Sequence, residues 1–197
     1  MPRKIVVYGG AFNPPHIGHA AAIETTLRLF DCDEFWMMPS ADRRDKNICV
    51  PGKDRMKMCE LMIQELFPSV HMPITISSLE INRGRETVTY ETKQEIESKY
   101  PDAEFYFLIG SENLPDIIPK WVRGRELYQS ARFLIKKRHI NDSFEKLPPH
   151  AKVLDEEAVI IDVSSTFVRQ LLSIGMSAMP YITPAVAAYI KERRLYQ

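Results

Sequence analysis

At 197 residues, with 45% hydrophobic and 26% charged side chains, the chain is long enough for one domain with a substantial core and has an ordinary globular composition. Its 26 basic and 26 acidic residues balance to a formal net charge of zero, which removes any electrostatic basis for broad binding to nucleic acid or to a membrane surface. No apolar run approaches the roughly 20 residues of a spanning helix, the start MPRKIVVYGG is too short in its apolar part for a signal peptide, and three cysteines without paired spacing argue against a disulfide framework or a zinc site and for a reducing cytoplasm.

Short apolar runs alternate with amphipathic segments. Lys4 to Tyr8 predicts a buried strand and Ala20 to Phe30 a helix rich in Ala and Leu. Between them lies GGAFNPPHIGH, Gly9 to His19, with two glycines, two prolines and two histidines in one loop. Glu34 to Met38 predicts a second strand, closed by Pro39, and the polar ADRRDKNICVPG that follows reads as a loop. A helix begins at Lys53, with Met56, Cys59, Met62, Ile63, Leu66 and Phe67 at spacings of three and four. Met72 to Ile76 predicts a third strand, and Thr87 to Lys99 a polar, exposed helix ending before Pro101.

Glu104 to Ile109, EFYFLI, is continuously apolar, as strands covered on both faces are in parallel sheets. Strands over Arg132 to Lys136 and Val159 to Val163 complete the set, with the stretch from His139 to about Glu156 as an insertion between them. A helix from Ser165 places Phe167, Val168, Leu171 and Leu172 on one face. The last helix has Thr183 as its cap and Pro184 at its first position, and runs to about Leu195. The alternation predicts an α/β fold: a Rossmann-like, doubly wound parallel sheet with helices on both faces, as a single domain over residues 1–197. In that architecture ligands bind beyond the carboxyl ends of the strands, where strand order reverses. The loops that follow strands are Gly9 to His19, Asp42 to Asn47, Gly110 to Asn113 and Ser164 to Arg169.

Gly9 and Gly10 carry no side chains to block a ligand, so their backbone N–H groups can approach a phosphate, and the following helix points its positive N-terminus at the same place. His16 and His19 add two imidazole donors, a pairing suited to the negative charge of a transferring phosphoryl group. A Gly-Gly dipeptide is also an ordinary turn, and H-x-x-H is also a metal-binding spacing, although no further Cys or acidic ligand sits beside it. Ser164, Ser165 and Thr166 offer hydroxyls and N–H groups at a helix N-terminus, which alone would be a cap. Arg169, one turn further in, adds a fixed fork for phosphate oxygens.

These residues resemble a known family. GGAFNPPHIGH is similar to the GGxFxPxHxGH loop of nucleotidyltransferases, whose H-x-G-H element is shared with class I aminoacyl-tRNA synthetases, and VSSTFVR, Val163 to Arg169, is similar to their I-S-S-T-x-I-R turn. LIGSENLPDIIPKW, Leu108 to Trp121, with RGRELYQSARFLIKKR after it, and the tail PYITPAVAAYIKERRLY resemble bacterial nicotinate-mononucleotide adenylyltransferases. The four ordered motifs cover nearly the whole chain.

The resemblance implies adenylyl transfer from ATP to nicotinate mononucleotide, giving deamido-NAD and pyrophosphate in NAD biosynthesis, with Mg²⁺ carried on ATP oxygens and no metal site of the protein's own. It implies His16, His19 and Arg169 as catalytic groups, with Gly9, Gly10 and Phe12 lining the crevice where the substrates meet. Ser165 and Thr166 would hold the triphosphate with Arg169, while Glu112, after Gly110, would contact the ATP ribose in place of the family's Asp. Thr89 would contact the mononucleotide and Trp121 would stack on its pyridine ring. The C-terminal part, about 164–197, would complete the active site.

Lys46 stands where the family has a phosphate-binding lysine in P-H-K, but Arg44 and Asp45 replace the proline and histidine, so Lys46 with Arg43 is equally a solvated basic loop. Ala11 removes a frequent hydroxyl, and Asn13 replaces a common Asp. Rival readings are an enzyme for nicotinamide mononucleotide or for another acceptor such as phosphopantetheine, and a non-catalytic nucleotide sensor. An exposed apolar face on the final helix would support a homo-oligomer.

Overall fold

Ile5, Val6 and Val7 are all buried, yet successive residues of a strand point to opposite faces, so this run needs cover on both sides. The computed structural model, which describes residues 2–41, 50–139, 142–144, 146–154 and 159–197, supplies that cover. Six strands among the described residues, β1 (Arg3–Gly10), β2 (Glu34–Pro39), β3 (Ile74–Ile76), β4 (Ala103–Gly110), β5 (Arg132–Lys136) and β6 (Lys152–Leu154), form one all-parallel sheet. Their order is β3-β2-β1-β4-β5-β6.

Val6, Phe35, Met37, Leu108 and Leu134 face one core, completed by Ile23 of α1 (Ile17–Leu29), Met58 and Met62 of α2 (Gly52–Leu66), Val168 of α7 (Ser165–Ser173) and Val186 and Ile190 of α8 (Pro184–Arg193). Ile5, Val7, Trp36, Met38, Phe105, Phe107, Phe133 and Ile135 face the other. There Ile96 of α4 (Thr89–Lys99), Ile117 of α5 (Leu114–Lys120) and Leu127 of α6 (Gly124–Ser130) pack, with Leu79 of the short α3 (Leu79–Asn82) beside them. The fold is the expected doubly wound α/β domain. Strand order reverses between β1 and β4, so the carboxyl ends of those strands, Gly9–Gly10 and Ile109–Gly110, flank the crevice where such folds bind ligands.

Several expectations need correction. Val159 to Val163 is not a strand: the sixth strand is Lys152–Leu154, inside the segment expected to be an insertion, and it pairs with β5 through Leu134, Ile135 and Lys136. The carbonyls of Val159 and Val163 accept instead from Lys136 Nζ (2.9 Å) and the Arg138 guanidinium (3.2 Å), so two cationic side chains take the bonds a ladder would have used. The third strand covers only Ile74–Ile76. Helix α4 is not simply exposed, because Thr92, Lys93 and Ile96 are buried along one stripe.

Phe167 lies 40% exposed, its ring edge-on to Tyr181, while Val168 alone of the α7 face is fully buried. The apolar face of α8 is not free for a partner: Val186 and Ile190 are packed in the core. Helices α3, α5 and α6 had no counterpart among the expected elements. The Asp42 to Asn47 loop, with Arg43, Arg44 and Lys46, lies outside the described residues.

Candidate functional site

At the strand-order reversal the carboxyl ends of β1, β4 and β5 open into a cavity of about 350 Å³. Of the residues singled out in the sequence, Gly9, Gly10, His16, His19, Thr89, Gly110, Glu112 and Trp121 all line it. They come from four separate segments, which the crossover topology brings to one end of the sheet.

Phe12 takes a different place. It is buried beneath the loop with φ 46, its ring edge-on to His19 (centroids 4.9 Å apart) and to Tyr8 (5.3 Å), and it forms no part of the cavity wall. The two glycines therefore do different jobs. A Cβ on Gly10 would come within 3.0 Å of the Phe12 ring, whereas one on Gly9, which lines the cavity, would meet nothing within 4 Å.

His16 caps α1 and His19 is its third residue. The Nδ1 of His19 accepts the backbone N–H of His16 at 3.1 Å, which in a neutral ring leaves the proton on Nε2. The imidazoles stack with centroids 3.7 Å apart and planes 28° from parallel. Burial brings the His16 pKa down to about 4, and the Arg138 guanidinium acts in the same direction. Burial, His16 and Arg138 hold His19 well below the ordinary histidine range. Both rings are neutral donors at pH 7. Gly18 is needed beside them, since a Cβ there would sit 3.0 Å from the His16 ring and 3.1 Å from Val163.

A stability consequence follows, because unfolding releases His16 to its ordinary pKa near 6.5. The folded value is the lower one, so the unfolded chain takes up a proton that the native state refuses as pH falls below 6.5. A displacement of this size corresponds to about 3 kcal/mol lost between pH 6.5 and 4. Urea denaturation at stepped pH is expected to show that loss, with a shallower slope in His16→Gln; an identical slope in the variant would contradict it.

Ser165, Thr166 and Arg169 stand against the outer side of the same loop and form no part of the cavity wall. Ser164 caps α7 by accepting the Phe167 N–H at 3.2 Å. Ser165 Oγ donates to the Pro14 carbonyl (2.9 Å), and Arg169 donates to the Asn13 carbonyl (2.8 Å) and to Thr166 Oγ1 (3.1 Å). The Tyr196 hydroxyl donates to Asn13 Oδ1 at 2.6 Å, so Asn13 ties the loop to the C-terminal segment. Arg55, fully buried, holds the loop from beneath by donating to the carbonyls of Ala11 (2.7 Å), Ser40 (2.7 Å) and Val50 (3.2 Å).

Sequence reasoning missed the cationic wall. Lys136, Lys137 and Arg138 all line the cavity, and Lys136 stands beside Gly110 in register. Burial lowers the Lys136 pKa, with Arg138 acting in the same sense. The Arg138 backbone N–H donates to Ser111 Oγ (2.8 Å) and Asp142 Oδ2 (2.9 Å), while the Ser111 hydroxyl donates to the same carboxylate. The signal was present in LIKKR, a buried strand running directly into three cations at its carboxyl end. Glu80, Thr87 and Thr92 were missed as well and complete the wall near Thr89.

The model of the cytidylyltransferase-like family matches residues 7–171. The chain belongs to that family. Among curated relatives of this cytidylyltransferase-like protein, one from Lactiplantibacillus plantarum is 34% identical, covering 99% of this chain and 89% of the relative. One from Synechococcus is also 34% identical, over 98% and 97% respectively. Both carry the name "Probable nicotinate-nucleotide adenylyltransferase". A Plasmodium falciparum nicotinic acid mononucleotide adenylyltransferase complexed with NaAD has the same fold, with a TM-score of 0.83, 24% identity and coverage of 98% of this chain and 97% of that one. The family that the motifs resemble is thus the one these relatives are named for.

Proposed function

We propose that the protein transfers the adenylyl group of ATP to nicotinate mononucleotide, giving deamido-NAD and pyrophosphate in NAD biosynthesis. The observation that carries this reading is one cavity walled both by the Gly9–Gly10 and His16–His19 phosphate machinery and by Thr89 and Trp121, a hydroxyl and an aromatic face suited to a pyridine acceptor. A phosphate oxygen of the mononucleotide attacks the α-phosphorus of ATP, the bond to the bridging oxygen breaks, and pyrophosphate leaves with the electron pair. No covalent enzyme intermediate is needed, so positioning and charge neutralisation supply the rate.

In this reading the Nε2–H of His19 and the His16 ring donate to the oxygens of the transferring phosphorus. Lys136 and Arg138 neutralise the charge that builds beside them. Ser165, Thr166 and Arg169 take the outer phosphates from the far side of the Asn13–Pro14 turn, and Glu112 accepts from the ribose hydroxyls. Among the described residues no group of three or more His, Cys, Asp or Glu is assembled to hold a metal. Glu80 is already engaged by two threonines, which leaves Glu112 as the other carboxylate of the cavity wall among the described residues. That donor set suits Mg²⁺ carried in on ATP oxygens, where it would reduce the negative charge of the triphosphate. A cytoplasmic setting agrees with Cys32 and Cys59, which are free thiols. No helix among the described residues is long and apolar enough to cross a membrane.

Pyrophosphate release with ATP and Mg²⁺, offering nicotinate and nicotinamide mononucleotides separately, tests the reading. A preference for the acid of tenfold or more in kcat/KM, about 1.4 kcal/mol, is expected. Preference for the amide would reverse the choice of acceptor, and silence with both would remove the pyridine reading.

A further inference from the structure

The segment TVTYET places three threonines, Thr87, Thr89 and Thr92, where a chain enters a helix, and a threonine hydroxyl can either donate or accept. Glu80 removes that ambiguity for two of them. Its carboxylate, 9% exposed, takes the Thr87 hydroxyl on Oε2 at 2.8 Å and the Thr92 hydroxyl on Oε1 at 2.7 Å. A carboxylate only accepts, so both hydroxyl protons point into it. Thr92 Oγ1 in turn accepts from Arg83 at 3.0 Å, and Arg83 is ion-paired with Glu95. One carboxylate on α3 thereby fixes both ends of the turn that carries Thr89, and all four residues line the cavity.

We infer that Glu80 is a positioning residue for the acceptor half of the site: it holds the 87–92 turn so that the Thr89 hydroxyl and the first N–H groups of α4 face the mononucleotide. The inference rests on the proposed adenylyl transfer. Glu80 sits on the Thr89 side of the cavity and shares no hydrogen bond with the His16–His19 loop, so it governs acceptor affinity and leaves ATP affinity and the chemical step alone.

Steady-state kinetics of Glu80→Gln, Thr87→Val and Thr87→Ser, varying each substrate against a saturating partner, test this. Glutamine keeps the volume but has one acceptor oxygen, and valine keeps the shape of threonine without the hydroxyl. Both are expected to raise the KM for the mononucleotide tenfold or more, with kcat and the KM for ATP within twofold of wild type. Thr87→Ser, which keeps the donor, is expected to restore the wild-type acceptor KM. A purely structural Glu80 would move both KM values together in step with the melting temperature. That result, or an unchanged acceptor KM in Thr87→Val, overturns the inference while the adenylyl transfer stands. Wild-type protein silent with both mononucleotides overturns the adenylyl-transfer reading first, and this inference with it.

Discussion

His19→Asn is expected to lower kcat for pyrophosphate release by about a hundred- to a thousandfold, the usual cost of one lost donor to a developing oxyanion, while the protein stays folded. The separation is possible because the two nitrogens of His19 have different tasks. Nδ1 accepts the His16 N–H at the start of α1, a capping bond of the kind worth about 1 kcal/mol. Nε2 carries the proton and, in the proposed adenylyl transfer, is the atom that meets a phosphate oxygen. Asparagine sets its Oδ1 close to where Nδ1 lies and reaches no further, so the cap survives and the donor goes. His19→Gln makes the opposite exchange: its amide reaches toward the Nε2 position, but the His16 N–H loses its acceptor. Glutamine is therefore expected to retain more activity than asparagine and to be the less stable of the two in urea. A kcat for His19→Asn within threefold of wild type would show that Nε2–H has no part in the transition state.

The same residues show what a sequence can and cannot disclose. Ile5 to Val7 and Phe105 to Leu108 announce a parallel sheet because a strand covered on both faces has no polar alternate positions, and the two cores bear this out. Gly9 to His19 stands out for a related reason: two glycines and two histidines in one loop exceed what a turn needs, and Gly9, Gly10, His16 and His19 all line the cavity. The apolar run Val159 to Val163 misled because its hydrophobicity is real, with Val163 buried and Ile161 packed on the core, but its carbonyls serve Lys136 and Arg138. Hydropathy reports burial and is blind to which group takes a carbonyl. Lys152–Leu154, three residues long, offers no period to detect. Lys136 and Arg138 carry a local signal in LIKKR, but the carbonyls they bind, of Val159 and Val163, lie 23 and 25 positions away, and Glu80 pairs with Thr92, 12 positions on, with no local signal at all. The motif alone puts Phe12 in the crevice, yet its left-handed backbone turns the ring under His19, where it supports the imidazole from below.

Gly124→Ala is expected to cost about 3–5 kcal/mol of stability, in the range that a backbone overlap with no escape produces, and to weaken acceptor binding in whatever protein remains folded. A Cβ at this position would lie 1.8 Å from the carbonyl oxygen of Ile117 and 2.9 Å from its carbon, and backbone atoms cannot swing aside as a flexible side chain can. The carbonyl is also fixed from its other side, since the Trp121 N–H donates to it at 3.4 Å while the Gly124 N–H donates to the Trp121 carbonyl at 2.9 Å. The turn between α5 and α6 is thus closed around one oxygen, with Trp121 as part of the ring. Arg123, just before the glycine, has φ 52 and lays its guanidinium 4.1 Å over the Tyr90 ring while pairing with Glu126, which removes slack on that side. To bring the new contact out to 3.0 Å the helices must part by more than 1 Å, and Trp121 must travel with one of them. The indole that lines the cavity is therefore displaced by a methyl group added outside the cavity wall. Urea denaturation reads the first effect and the mononucleotide KM the second, with the KM for ATP expected to stay near wild type. Full stability in Gly124→Ala would mean that the α5–α6 turn yields at no cost, and an unchanged acceptor KM would mean that Trp121 is held by something other than this turn.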